Sequence, residues 1–131
     1  MDITSRRKLL ECTANPDGGL DYMVNITGHI DKEGSSRTNV LLRYVPDKLV
    51  LDAGSFGIYL DTLGEAGWKV AEDLAVTIIS DINNELVPRW VQVSVSAPDL
   101  AHPAVDTHGV VLEDRQPKWD NPGLLSRLKH I

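Results

Sequence analysis

The side chains able to carry out acid/base chemistry are scattered along this sequence, and no contiguous catalytic motif contains them. The histidines are His29, His102, His108 and His130. His29 is followed closely by Asp31 and Lys32, and an imidazole beside an acid and an amine could exchange protons near neutral pH. A surface-loop histidine without a catalytic part is the alternative. His108 opens a predicted strand and could face either a ligand or solvent.

Arg43 is a further candidate, because it interrupts the otherwise apolar segment NVLLRYV. A guanidinium there could pair with a carboxylate or phenolate of a ligand, or equally with an acid on a neighbouring strand. No two histidines or cysteines have the HxH, HxxxH or CxxC spacing of a metal site, and no glycine-rich phosphate loop follows a strand. The sequence therefore predicts neither a metal nor a cofactor.

Glu72 belongs to the longest periodic segment of the chain, residues 68–87. Apolar side chains recur there every three or four residues, which predicts an amphipathic helix about 30 Å long. They are Val70, Leu74, Ala75, Ile78, Ile79, Ile82 and Leu86. Glu72 and Asp73 lie in the first turn, where the helix dipole favours negative charge. Glu72 therefore either stabilises the helix end or holds a ligand.

The composition is that of one ordinary globular domain, residues 1–131, with 42% apolar and 24% charged residues. The net charge of −6 argues against nucleic acid, which requires an excess of lysine and arginine. No apolar run approaches the roughly 18 residues of a membrane span, and no apolar stretch follows the basic N-terminal residues as in a secretory signal. The single cysteine, Cys12, excludes an internal disulfide and suits a reducing compartment. We therefore expect a cytoplasmic protein that binds neither nucleic acid nor membrane.

The core of the chain, residues 20–113, consists of alternating and periodic segments separated by turn residues. The predicted strands are residues 20–27, 39–45, 90–97 and 108–113, and the predicted helices are residues 52–66 and 68–87. Residues 28–37 are predicted to form a polar loop.

The two ends of the chain are more polar than the core. Residues 1–19 form an arm with Arg6, Arg7 and Lys8, which we expect to be solvated, with contact to an anion as the alternative. Cys12 in this arm is expected to be a small, partly buried apolar residue. The tail, residues 114–131, ends in a short predicted helix that Asn121 caps.

The predicted order is strand, strand, helix, helix, strand, strand, which favours an α+β fold. Two hairpins would form an antiparallel four-stranded sheet with both helices on one face. The other face is polar, and its predicted residues are Asp21, Asn25, Thr27, Gln92, Ser94 and Ser96. Because such a sheet has open edges, we expect pairing with copies of the same chain in a homo-oligomer.

This order is that of the tunnelling fold (T-fold), in which subunits join their sheets into a barrel around a polar tunnel. Over residues 10–97 the chain resembles the 7-cyano-7-deazaguanine reductases, which are relatives of GTP cyclohydrolase I. The resemblance depends on Leu10-Glu11, Asn15-Pro16, Tyr44-Val45-Pro46, residues 52–60, Glu72-Asp73 and Pro88-Arg89-Trp90. It implies the same fold and the same kind of assembly for this chain.

The reductase machinery of that family is missing from this sequence. Where the family has Glu-Ser-Lys-Ser-x-Lys for NADPH, residues 52–57 read DAGSFG and contain no lysine. The loop at residues 28–37 has no nucleophilic cysteine, and Ala71 stands where the family has a histidine before the glutamate. Without a thiolate, that histidine and phosphate-binding lysines, thioimide formation and hydride delivery have no visible groups.

The resemblance implies that Glu72 anchors the amide and amino edge of a planar heterocycle, since a carboxylate accepts two parallel N–H bonds. It also implies substrate contacts from Asp52 and Tyr44. We therefore predict a planar aromatic or heterocyclic substrate at a subunit interface.

The predicted chemistry is cofactor-independent acid/base catalysis of a lyase (retro-aldol), hydrolase or isomerase type. Its candidate catalytic residues are His29, Lys32 and Arg43. One alternative is an NADPH-dependent 7-cyano-7-deazaguanine reductase of queuosine biosynthesis. The other is a non-catalytic ligand-binding or scaffold protein.

Overall fold

The computed structural model describes residues 2–31, 37–68, 70–98 and 101–128. Within them the elements are α1 (Ile3–Arg7), β1 (Cys12–Ala14), β2 (Val24–Asp31), β3 (Arg37–Val45), β4 (Leu49–Leu51), α2 (Ala53–Ala66), α3 (Ala71–Leu86), β5 (Trp90–Pro98), β6 (Thr107–Arg115) and α4 (Pro122–Leu125). The described part of the chain is thus a mixed α+β fold with four helices and two antiparallel sheets. None of these helices is both long and apolar enough to cross a lipid bilayer.

The larger sheet has the strand order β2-β3-β5-β6, and every neighbouring pair is antiparallel. Leu42 of β3 pairs with Ile26 on one side and Val93 on the other, so these three side chains lie side by side on one face. Helices α2 and α3 pack against that face, and Leu42, Val93 and Ile78 are completely buried between the layers. Burying one such side chain contributes about 1.5–3 kcal/mol to stability.

Helix α3 is shorter than the predicted helix at residues 68–87, because it begins at Ala71 and ends at Leu86. The predicted apolar stripe is buried except for Val70, which precedes the helix and is exposed. Trp68 packs against the core from the segment before the helix. After the last turn, Val87 has a positive φ of 46°, and Pro88 prevents the helix from continuing.

Helix α2 confirms the other predicted core helix, residues 52–66, with Asp52 as its N-cap. The Asp52 carboxylate accepts a 2.9 Å hydrogen bond from the backbone N–H of Ser55, one of the donors without a partner inside the helix. Gly67 ends the helix with a φ of 76°, a conformation that glycine adopts without steric strain.

Strand β2 begins and ends later than the sequence predicts. The prediction of a strand at residues 20–27 and a loop at residues 28–37 is wrong, because residues 28–31 continue β2 and pair with β3. The sequence pattern does not predict this continuation, because Gly28 adds no apolar side chain to the alternation of apolar and polar residues. A Cβ atom at Gly28 would lie 2.7 Å from Cδ1 of Leu60 on α2, so a larger residue there would require the Leu60 side chain to shift. The rest of the predicted loop, residues 32–36 with Lys32, lies outside the described residues.

The N-terminal arm is folded against the body, which contradicts the prediction of a solvated leader. Strand β1 pairs with β4, with Cys12 opposite Leu51, and α1 lies against α3. Arg6 and Arg7 both form ion pairs with Asp81 of α3. The physical reason is that Asp81 lies within the buried face of α3, where a carboxylate requires charged partners.

Arg89 links several segments at the end of the sheet where α3 meets β5. Its guanidinium donates to the carbonyl oxygen of Gly18 at 2.5 Å and to the carboxylate of Asp21 at 3.0 Å. Trp119 and Asn121 of the tail donate to the other oxygen of Asp21. Asp21 therefore holds the tail. The prediction that Asp21 lies on the polar face of the sheet is wrong. The predicted capping of the last helix by Asn121 is confirmed.

Candidate functional site

The side chains of Glu72 and His108 are in contact at one end of the larger sheet. His108 lies near the start of β6, opposite Ala97 near the end of β5, and on the face that the helices cover. Helix α3 connects to β5 through residues 87–89 and runs back along the sheet, so its first turn reaches this end. As a result Oε1 of Glu72 lies 3.0 Å from Nε2 of His108.

The Glu72–His108 pair is open to a ligand. The side chain of Glu72 is 57% exposed and that of His108 is 40% exposed. A carboxylate at this distance can accept a hydrogen bond from the ring and fix the orientation of the imidazole. The arrangement can therefore hold a polar group through the carboxylate and exchange a proton through the ring.

His29 lies on the opposite face of the sheet from this pair. Its neighbour Ile30 points into the core, so His29 itself points away from the helices. Its Nε2 lies 3.7 Å from Oδ2 of Asp31, and the other oxygen of that carboxylate, Oδ1, lies 3.6 Å from Nε of Arg37. The structure thus brings His29 close to Asp31, as the sequence predicts, but does not bring it to Glu72. Lys32, its predicted catalytic partner, is outside the described residues.

Arg43 is on the same open face as His29, in register with Asn25 of β2 and Gln92 of β5. The side-chain oxygen Oε1 of Gln92 is buried there without a hydrogen-bond partner. A shallow cavity of about 290 Å³ lies on this face, and its polar lining residues are Thr27, Asn39, Ser94 and Ser96. The predicted polar face of the sheet is therefore present, apart from Asp21.

Asp52 and Tyr44 lie at the other end of the sheet from Glu72. Tyr44 is opposite Val91 and His108 is opposite Ala97, which places them six residues of β5 apart, or about 20 Å. The Tyr44 side chain is buried, and its hydroxyl oxygen accepts a 2.8 Å hydrogen bond from the backbone N–H of Leu51. Burial raises the pKa of Tyr44. In this structure both side chains have structural partners and do not converge with Glu72.

Asp81 is the buried charged residue that the sequence interpretation missed. Its carboxylate accepts hydrogen bonds from Arg6 at 2.6 Å, Arg7 at 2.8 Å and the hydroxyl of Tyr59 at 2.5 Å. Burial raises the pKa of Asp81, but these donors outweigh that effect and hold the pKa below its usual value. The sequence did contain a signal for this network. It places an acid within an apolar helical stripe and two arginines in the N-terminal arm.

Cys12 is half-buried, in agreement with the sequence interpretation. Burial, assisted by the negative charge of Glu85, raises the pKa of its thiol, which lowers the thiolate fraction. Among the residues that the structure describes, no group of three or more histidine, cysteine, aspartate or glutamate side chains could hold a metal ion.

The sequence matches no protein-family model and no curated protein. The resemblance to the tunnelling fold therefore remains a prediction that depends on the residues quoted for it.

Proposed function

We propose that this chain is a small-molecule enzyme that binds a planar heterocycle between copies of itself, with Glu72 as anchor and His108 as proton-transfer group. The observation that supports this proposal is the 3.0 Å contact between Oε1 of Glu72 and Nε2 of His108 at an exposed end of the sheet. The reaction is cofactor-independent acid/base chemistry, of the lyase, hydrolase or isomerase type that the sequence predicts.

The anchoring role follows from the geometry of a carboxylate. Oε1 of Glu72 contacts His108, and Oε2 is the second acceptor of the same group. An N–H on the edge of a heterocycle can donate to Oε2 in a charge-assisted bond. The ligand and the imidazole would then share one carboxylate, which brings the reacting ring within reach of the proton-transfer group.

A neighbouring copy is needed because the pair lies at the surface. More than half of the Glu72 side chain is exposed, whereas binding sites bury most of a small ligand. His108 belongs to β6, the last strand in the order β2-β3-β5-β6. The outer edge of β6 can pair with a strand of another copy, and that copy would supply the missing wall. The proposed site does not include His29 or Arg43, because both lie on the opposite face of the sheet.

The proposal is tested by measuring the binding and turnover of guanine, a pterin and 7-cyano-7-deazaguanine. In the Glu72→Gln variant the affinity for the bound member of the panel should fall about tenfold or more, because the charged acceptor is lost. In the His108→Gln variant binding should persist while turnover is lost. Asp73→Asn is the matched control, since it removes the adjacent charge without touching the pair.

Three results would overturn the proposal in different ways. Equal affinity of the wild-type and Glu72→Gln proteins for every bound compound would exclude the anchor role. Binding through Glu72 without turnover of any compound would make the chain a binding protein instead of an enzyme. Light scattering on the same samples measures the oligomeric state, and a monomer that binds the ligand fully would exclude the interface site.

A further inference from the structure

A second cavity, of about 330 Å³, lies between the last turns of α2 and the first turns of α3. The buried side chains of Leu63 and Leu74 line it. Trp68, in the connection between the helices, lines it with an aromatic ring, and Arg6 of the arm lines it with a guanidinium. Glu72 and His108 are not among its lining residues, so this cavity is separate from the proposed interface site.

The cavity presents opposite charges. Arg6, which lines the cavity, donates to Asp81 through both Nε and Nη2, and Arg7 donates to the same carboxylate, so the three side chains together carry one net positive charge. Asp73, in the first turn of α3, supplies a negative charge to the same lining. Because the lining carries both signs, an anion alone would be repelled by Asp73 and a cation alone by the arginines.

Hydroxyl groups of Thr62 and Thr77 also line the cavity. The Thr62 hydroxyl donates to the carbonyl oxygen of Ile58 at 3.0 Å, and its oxygen can still accept a hydrogen bond from a ligand. A few polar groups on a mostly apolar lining are typical of small-molecule sites, and the volume is at the lower end of their range.

We propose that this cavity binds a small zwitterion with an apolar or planar body, of the class of the aromatic amino acids. The carboxylate of the ligand would be held at Arg6, its ammonium group at Asp73 and its ring against Trp68 and the two leucines. The proposal requires only one copy of the chain, and it does not depend on the proposed function of Glu72 and His108.

The test compares three probes by titration calorimetry: L-phenylalanine, 3-phenylpropanoate without the ammonium group, and 2-phenylethylamine without the carboxylate. We expect L-phenylalanine to bind, and each singly charged analogue to bind about tenfold or more weakly, because one charge-assisted contact is lost. Tryptophan fluorescence of the protein, excited where phenylalanine does not absorb, provides a second signal of binding, to which Trp68 contributes together with Trp90 and Trp119.

The Asp73→Asn variant gives the sharpest result. It should bind L-phenylalanine no better than 3-phenylpropanoate, because the partner of the ammonium group is gone. Asp61→Asn removes the same charge from an exposed position outside the cavity and should leave the binding of all three probes unchanged. The Ala66→Phe variant, which fills the cavity without touching the ion pairs, should abolish binding, while the exposed Asp61→Asn change on the same helix should not.

Absence of L-phenylalanine binding by the wild-type protein would overturn the proposal. Equal affinity for all three probes would also overturn it. A third such result is binding that persists in both the Asp73→Asn and the Ala66→Phe variants, provided that their circular dichroism and thermal unfolding match those of the wild type. A negative result with phenylalanine would not change whether heterocycle binding depends on Glu72. The two proposals can therefore fail independently.

Discussion

The carboxylate of Asp81, within α3, accepts a 2.6 Å hydrogen bond from Nε of Arg6, which lies 75 residues earlier in the chain. The Asp81 side chain has no exposed surface, and that of Arg6 is 20% exposed. Removing a carboxylate from water costs several kcal/mol, and this cost is offset only when charged partners and further hydrogen-bond donors surround it. Arg6, Arg7 and Tyr59 do so here, and they join α1, α2 and α3 at one point.

The Asp81→Asn variant should be strongly destabilised. The change leaves two arginines and a tyrosine hydroxyl without their charged acceptor, and breaking such a buried network costs about 3–5 kcal/mol. Urea unfolding followed by circular dichroism measures the loss. The matched change Asp61→Asn, at an exposed position on α2, should alter the free energy of unfolding by no more than about 0.5 kcal/mol. Equal stability of the two variants would show that the network does not hold the arm.

The contribution of Asp81 to stability should also depend on pH. Its pKa is lower in the folded protein than in the unfolded chain, where it is about 3.9. The stabilisation is therefore present above the unfolded pKa and is lost as the pH falls through the folded pKa. We expect the stability difference between the wild type and Asp81→Asn to be constant near pH 7 and to shrink below about pH 4. Urea unfolding at a series of pH values measures this difference, and a gap that widens in acid would contradict the sign.

The sequence predicts the helices and the sheet better than it predicts their boundaries. Periodicity finds α3 because Leu74, Ile78 and Ile82 repeat along one face regardless of their tertiary neighbours. Strand β2 is misplaced because Gly28, which lies close to Leu60 of α2, does not extend the apolar alternation. The arm is missed for a related reason. Its contacts are ion pairs with a distant helix, and local patterns contain no information about such pairs.

The candidate site is only partly predictable from the sequence. Glu72 lies in the first turn of α3, where the helical pattern places it. Its partner is His108 and not His29, and this choice depends on which face of the sheet each histidine occupies. A one-residue change of register reverses that face, so a sequence interpretation with uncertain strand boundaries cannot assign it.

Replacing Val87 by glycine should stabilise the protein. Val87 follows α3 with φ 46° and ψ 57°, a left-handed conformation that costs a residue with a β-carbon about 1–2 kcal/mol. Its side chain is exposed, so little packing is lost on removal, and the expected gain is about 1 kcal/mol. Val76→Gly, at an exposed position inside α3, is the matched control and should destabilise the helix by several tenths of a kcal/mol. Thermal unfolding measures both variants, and changes of the same sign would exclude strain at Val87.

Two glycine-to-alanine changes should have opposite effects on stability. A methyl group at Gly28 would lie 2.7 Å from Cδ1 of Leu60, so the buried Leu60 side chain would have to leave its packed position, at a cost of about 1–3 kcal/mol. Gly57 lies within α2, and a Cβ atom there would meet no atom within 4 Å. Alanine at that position should stabilise the helix by up to about 1 kcal/mol, because it reduces the backbone freedom of the unfolded chain. Denaturant unfolding of both variants measures the difference. A Gly28→Ala protein as stable as Gly57→Ala would show that Leu60 can turn away and that the close approach of α2 to β2 does not require glycine.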